Sequence, residues 1–281
     1  MLHGRGANLL HQRGLAGQYG FMREVSLRDI SNARGAGAPP RRRRLRYRVT
    51  TMAPQWSRLE VVIPVVYRFA ANEETWASSG RERWKRDFER TAAQTWSRRY
   101  IVAANGFWGP DRVEVRVRVA EEPNARSDLL WHVWVLPWRV AGAPTCVSYD
   151  HSGSFPQGRD ADGTVRWGPP FEHIALAQIS AEDIDCGPQG AYSQRGTDHE
   201  VGHMLGLQHP TCVGNQRECY GGSSEEQRRI MGLGSLVSAD DYAWALRIMR
   251  RHEPTKRWRL ESDRWVLDGS RRERRSVPTC G

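Results

Sequence analysis

The chain has 281 residues, 39% of them hydrophobic and 26% charged, and a formal net charge of +10. That apolar content is enough for one large domain core, and no apolar run reaches the ~18 residues of a membrane span, which excludes an integral helical membrane protein. A solenoid is excluded too, because no repeat of roughly 20–50 residues recurs.

Charge divides the chain. Residues 1–50 carry eleven Arg against Glu24 and Asp29, a balance of +9, while residues 251–281 carry +4 and the middle carries −3. Residues 1–50 are therefore expected to be a basic, flexible N-terminal segment, 51–252 the folded domain and 253–281 a C-terminal extension. The run Arg41-Arg42-Arg43-Arg44 can bind phosphate backbones, so nucleic-acid binding through this segment is one alternative function. Against it, Lys85 and Lys256 are the only lysines, so the arginine content reads as a coding habit and nucleic acid is an unfavoured partner. No apolar h-region marks residues 1–40 as a secretory leader, so any export is expected to use a signal-peptide-independent route.

In chain order, residues 59–69 read as a Val-rich buried strand, with Pro64 pointing to an edge or a bulge. Ser79 and Glu82 fit a capping box, and Trp84, Phe88, Ala92 and Trp96 recur at helical spacing, predicting an amphipathic helix over 79–98. Val113, Val115, Val117 and Val119 alternate with Glu114, Arg116 and Arg118, the pattern of a strand with one wet face. Further strands are expected at 129–136, 145–149, 164–167 and 173–179. A helix should cover 193–205, and another, capped by Ser238 with Asp241, should run to 250. A hairpin is expected around 258–267. The order predicts an α+β fold: a twisted mixed sheet, a long backing helix and an active-site helix, then a smaller irregular part closed by a C-terminal helix.

The five cysteines (146, 186, 212, 219 and 280) form no C-x-x-C pair, so a zinc ribbon is unsupported. Cys212 with Cys219 could close a small disulfide loop and Cys146 with Cys186 a second, or all five could be reduced.

Residues 199–209 read HEVGHMLGLQH. His199 and His203 are four apart and so share one helix face, where two imidazoles can reach one metal ion. Glu200, beside the first of them, is placed to act as general base toward water at the metal. On an unbroken helix His209 would lie about 9 Å beyond His203 along the axis, so it can join them only if the helix stops. Gly206 supplies the stop, since glycine adopts the left-handed conformation that ends helices. Three protein ligands with one coordination position left open mark a catalytic zinc, whereas structural zinc is closed by four. A bare HExxH is rare by chance in a chain of this length, and the added Gly and His make coincidence rarer still.

HExxHxxGxxH followed by a methionine turn resembles the metzincin zinc peptidases, in their matrixin and serralysin branches. Arg229-Ile230-Met231-Gly232-Leu233-Gly234 is similar to the Met-turn, and Pro210 after the third histidine is similar to serralysins. The resemblance implies a zincin-like fold, Zn2+ held by His199, His203 and His209, Glu200 as catalytic base, and Met231 as an apolar floor beneath the ligands. It implies a zinc endopeptidase acting on protein or peptide substrates. Location is left open by the residues; export as a secreted effector or toxin, with an inhibitor or immunity protein as partner, is one expectation apart from the resemblance. The alternative within the resemblance is a catalytically dormant zincin-type binding or toxin module. Leu233 stands where serralysins and astacins carry a tyrosine, leaving Tyr220 and Tyr192 as candidates for that role.

Overall fold

The computed structural model describes residues 21–32, 38–70, 76–97, 101–106, 109–137, 145–160, 162–211 and 217–261. Its elements are β1 (Arg23–Ser26), α1 (Leu27–Ile30), β2 (Arg44–Ala53), β3 (Trp56–Phe69), α2 (Ser78–Trp96), β4 (Ile101–Gly106), β5 (Gly109–Glu121), β6 (Trp131–Leu136), β7 (Cys146–Gly153), β8 (Pro156–Arg159), β9 (Val165–Trp167), β10 (Phe171–Ser180), β11 (Cys186–Gln189), β12 (Tyr192–Arg195), α3 (Gly196–Met204), α4 (Ser224–Arg228), α5 (Ala243–His252) and β13 (Trp258–Glu261).

Nine of the strands form one mixed sheet, in the order β13-β4-β5-β3-β6-β10-β7, with β2 paired to β3 and β1 to β2. The fold class is accordingly α+β. The long strand β3 organises the sheet. One side of it pairs in parallel with β5, and the other takes antiparallel β2 up to Val62 and then parallel β6 from Val65. Pro64 therefore lies in an interior strand, contrary to the expectation of an edge. It is tolerated because it falls in the gap between the two partners on that side, where no ladder bond is broken.

One face of the sheet carries the main core. Val113, Val115, Val117 and Val119 all point into it, as their alternation predicts, and meet Trp84, Phe88, Ala92 and Trp96 of α2. The expected capping box of Ser79 and Glu82 is not made. The helix starts one residue earlier, after Ala77, without a side-chain cap, and Glu82 instead pairs with Lys85. Ser238 and Asp241 do form their capping box, over a 3-10 turn that leads into α5. The opposite face carries a smaller cluster around Trp134, Leu136, Phe155 and Leu176.

The ends of the chain depart most from expectation. Within the segment read as flexible, residues 23–32 and 44–53 are built into the fold: Val25, Leu27, Ile30, Leu45 and Tyr47 are all buried in the main core. The arginine run is a staple. Arg43 is 2% exposed and donates to the carbonyls of Ser127 and Leu130, while Arg42 pairs with Asp150, and Arg44 with Glu24 and Asp128. Burial holds the Arg43 guanidinium down at about 10, with Arg42 adding to the shift. Beyond the proposed boundary at 252, β13 pairs with β4; the rest of the expected hairpin lies outside the described residues. Cys146 is a free thiol, whereas Cys186 and Cys219 are disulfide-bonded, so a Cys146–Cys186 bridge does not form. Cys212 and Cys280 lie outside the described residues. No helix among the described residues is long and apolar enough to cross a membrane.

Candidate metal centre

The centre is assembled by one helix, the turn that ends it and the loop packed beneath. The helix α3 carries His199, Glu200 and His203 and ends where expected. Gly206 has φ +89°, its N–H donates to the His203 carbonyl at 2.8 Å, and the Leu207 N–H donates back to Gly202 at 3.0 Å. These paired bonds make a Schellman ending with glycine in the left-handed position, and they turn the chain so that His209 comes back under the helix.

The three imidazoles converge. Their Nε2 atoms form a triangle with sides of 3.0 Å (His199 to His209), 3.1 Å (His199 to His203) and 3.2 Å (His203 to His209). All three residues are buried, as is Glu200 at 5% exposure. Tetrahedral coordination at ~2.0–2.1 Å separates ligand nitrogens by about 3.3 Å, so the donor set fits a single ion of zinc's size. Tautomers agree with that fit. His199 Nδ1 lies 2.7 Å from the Ile230 carbonyl and His203 Nδ1 lies 2.8 Å from the Leu207 carbonyl. A carbonyl only accepts, so each Nδ1 carries the proton and each Nε2 lone pair is left for a metal. Burial and the neighbouring imidazoles keep His199 well below the usual imidazole range, and burial with the nearby His209 brings His203 down to about 3, so both rings are neutral and able to offer a lone pair. Among the described residues this is the one group of three or more His, Cys, Asp or Glu side chains whose ligand atoms gather closely enough to hold an ion.

Glu200 is the second chemical element. Its Oε2 is buried and has no hydrogen-bond partner among the described residues. Burial, reinforced by the charge of Asp183, holds its carboxyl well above the ordinary carboxylate range. A cation nearby acts in the opposite direction, favouring the charged form.

Met231 lies under the helix. It is 2% exposed, and its sulfur faces Gly202, the residue between the two helical ligands. The loop bearing it is pinned from above by Gln194, whose buried amide donates to the carbonyls of Ile230 (2.7 Å) and Gly234 (2.8 Å). Gln194 therefore fixes the carbonyl that orients His199. Its role is invisible in sequence, because a polar residue just before a helix carries no long-range signal.

Further residues gather around the centre. The Tyr220 ring lies 4.2 Å from the His209 ring and 5.9 Å from that of His199. Tyr192, the other tyrosine candidate, directs its hydroxyl to the Ser224 carbonyl at 3.4 Å and makes no contact with the ligands. Tyr149, on the terminal strand β7, donates to the His203 carbonyl at 2.8 Å, which fixes that strand against α3. The Cys146 thiol, also on β7, is pushed up to about 12 by burial and by the charge of Glu200. His132, His151, His173 and His252 stay outside the cluster. They pack against Phe171, Phe155, Asp150 and Tyr47 respectively.

No family model, curated protein or solved structure matches the chain.

Proposed function

We propose that the chain is a zinc-dependent endopeptidase with a zincin-like fold, its metal held by His199, His203 and His209. The observation that carries this reading is the convergence of three neutral, buried imidazoles beside a buried carboxylate that lacks a partner. Structural zinc sites are normally closed by four protein ligands, and a three-ligand tripod next to an acid suits hydrolysis.

Bound zinc supplies Lewis acidity toward the scissile carbonyl and makes water acidic enough to attack near neutral pH. The protein supplies the rest. Glu200 Oε2, with no competing hydrogen bond, accepts the proton of the attacking water and delivers it to the departing amine nitrogen. The carbonyls of Ile230 and Leu207 hold two of the ligand rings in the orientation and tautomer that binding requires. The strand β7 ends the sheet beside α3 and has one edge unpaired among the described residues, so an extended substrate can add along that edge by main-chain hydrogen bonds. Tyr220, packed on His209, borders the same space. Disulfide-bonded Cys186 and Cys219 suit a protein working in an oxidising compartment.

Nucleic-acid binding loses its main support, since Arg42, Arg43 and Arg44 are engaged within the fold.

The test is cleavage of an unstructured protein substrate by the full chain. Activity should disappear on chelation and return with one equivalent of zinc. A fully zinc-loaded chain that cleaves nothing across a broad peptide library would favour the dormant module instead.

A further inference from the structure

The turn that delivers the third histidine is gripped by a part of the chain nearly 180 residues away. Ser31 is 7% exposed, and its hydroxyl donates to the Gly206 carbonyl. Next to it, Asn32 Oδ1 accepts the Gln208 N–H at 2.9 Å. The backbone of this strap packs flat on the glycine: a Cβ built at Gly206 would sit 3.4 Å from both Ser31 Cα and Cβ, and 3.5 Å from Leu27 Cδ2. The strap is itself anchored. Leu27 and Ile30 are fully buried, and Arg247 of α5 donates to the carbonyls of Ile30 (2.8 Å) and Ser31.

The two gripped residues bracket Leu207, whose carbonyl takes the Nδ1–H of His203, and the second of them directly precedes His209. Tyr149 holds the far side of the turn, its hydroxyl accepting from Gln208 Nε2 at 3.1 Å. Two of the three ligands therefore depend on one short turn. A tripod of donors binds an ion tightly only when its members are held in place before the ion arrives, and partners outside the ligand shell typically account for 10- to 100-fold in affinity.

From this we infer that Ser31 and Asn32 are positioning residues of the metal centre, holding the 206–208 turn so that His209 and the Leu207 carbonyl that orients the His203 ring are in place before zinc binds. The inference rests on the proposed zinc site, and it makes the N-terminal strap part of that site.

Zinc affinity of the full chain, measured by competition with a chromophoric chelator, tests it alongside the melting temperature of the zinc-free protein. Changing Ser31→Ala together with Asn32→Ala should weaken zinc binding about 10- to 100-fold. Amide hydrogen exchange of residues 206–208 should quicken in the zinc-free protein. Asn32→Ala alone, an exposed change that leaves the buried strap intact, should weaken binding several-fold. Asn32→Asp should restore it, because a carboxylate oxygen also accepts the Gln208 N–H. Asp29→Ala, which only breaks a surface pair with Arg251, should leave affinity unchanged. Zinc binding within twofold of wild type in both the double variant and Asn32→Ala would overturn the inference while leaving the zinc site standing. A wild-type chain that takes up no zinc would remove both.

Discussion

Glu200→Gln should lower kcat by about 100- to 10,000-fold, the usual contribution of a positioned general base, and leave zinc stoichiometry at one per chain. The substitution keeps the size of the side chain and touches none of the three ligands. What it removes is the ability to take a proton. Oε2 is buried without a hydrogen-bond partner among the described residues, so the change breaks no bond of that oxygen and the loss should fall on kcat more than on KM. Zinc content by mass spectrometry, paired with steady-state kinetics, separates the outcomes. Retained zinc with activity within tenfold of wild type would mean that another group moves the proton.

Gly202→Ala should destabilise the fold by about 1–3 kcal/mol through overpacking, read as a drop in the denaturation midpoint. Gly202 lies between the helical ligands on the inner face of α3. An added methyl would meet the Met231 sulfur first and then the Trp96 ring at 2.9 Å. The sulfur is at the flexible end of its side chain and can yield. Trp96 cannot: it is fully buried, and its Nε1 donates to the Asp198 carbonyl at 2.9 Å. That same Asp198 is held by Thr95 (2.7 Å) and Arg195 (3.0 Å), so the ring, the start of the helix and the Met231 loop form one packed unit. Adding Met231→Ala should recover part of the cost, with a coupling of about 0.5–3 kcal/mol between the two sites. Strict additivity would show that Met231 does not pack under the ligand helix as described.

The centre was legible in the sequence because its ligands are local. Eleven consecutive residues contain both helical histidines, the acid, the glycine that ends the helix and the third histidine, so helical geometry alone brings them together. The alternation of Val113 to Val119 and the aromatic spacing of α2 were legible for the same reason. What remained hidden depends on distant partners. Leu45, Tyr47 and Val49 alternate with Arg44, Arg46 and Arg48, a strand pattern that the sheer number of arginines masked. Those arginines are paired with Glu24, Glu60, Glu122 and Asp128, residues on neighbouring elements that only the folded sheet brings alongside them. Pro64 pointed to an edge because a single strand does not reveal that its partner changes midway. Glu82 could serve as a cap or pair with a lysine three residues on, and the local pattern does not rank the two. Ser31, Asn32 and Gln194 act through backbone groups of remote turns, for which residue type carries no signal.

The most direct test of the central claim is X-ray absorption at the zinc edge on the full chain loaded with one equivalent of metal. Three histidine nitrogens at ~2.0–2.1 Å, with an oxygen at a similar distance completing the shell, are the expected result. A sulfur scatterer at ~2.3 Å, fewer than three imidazoles, or failure to take up stoichiometric zinc would contradict it.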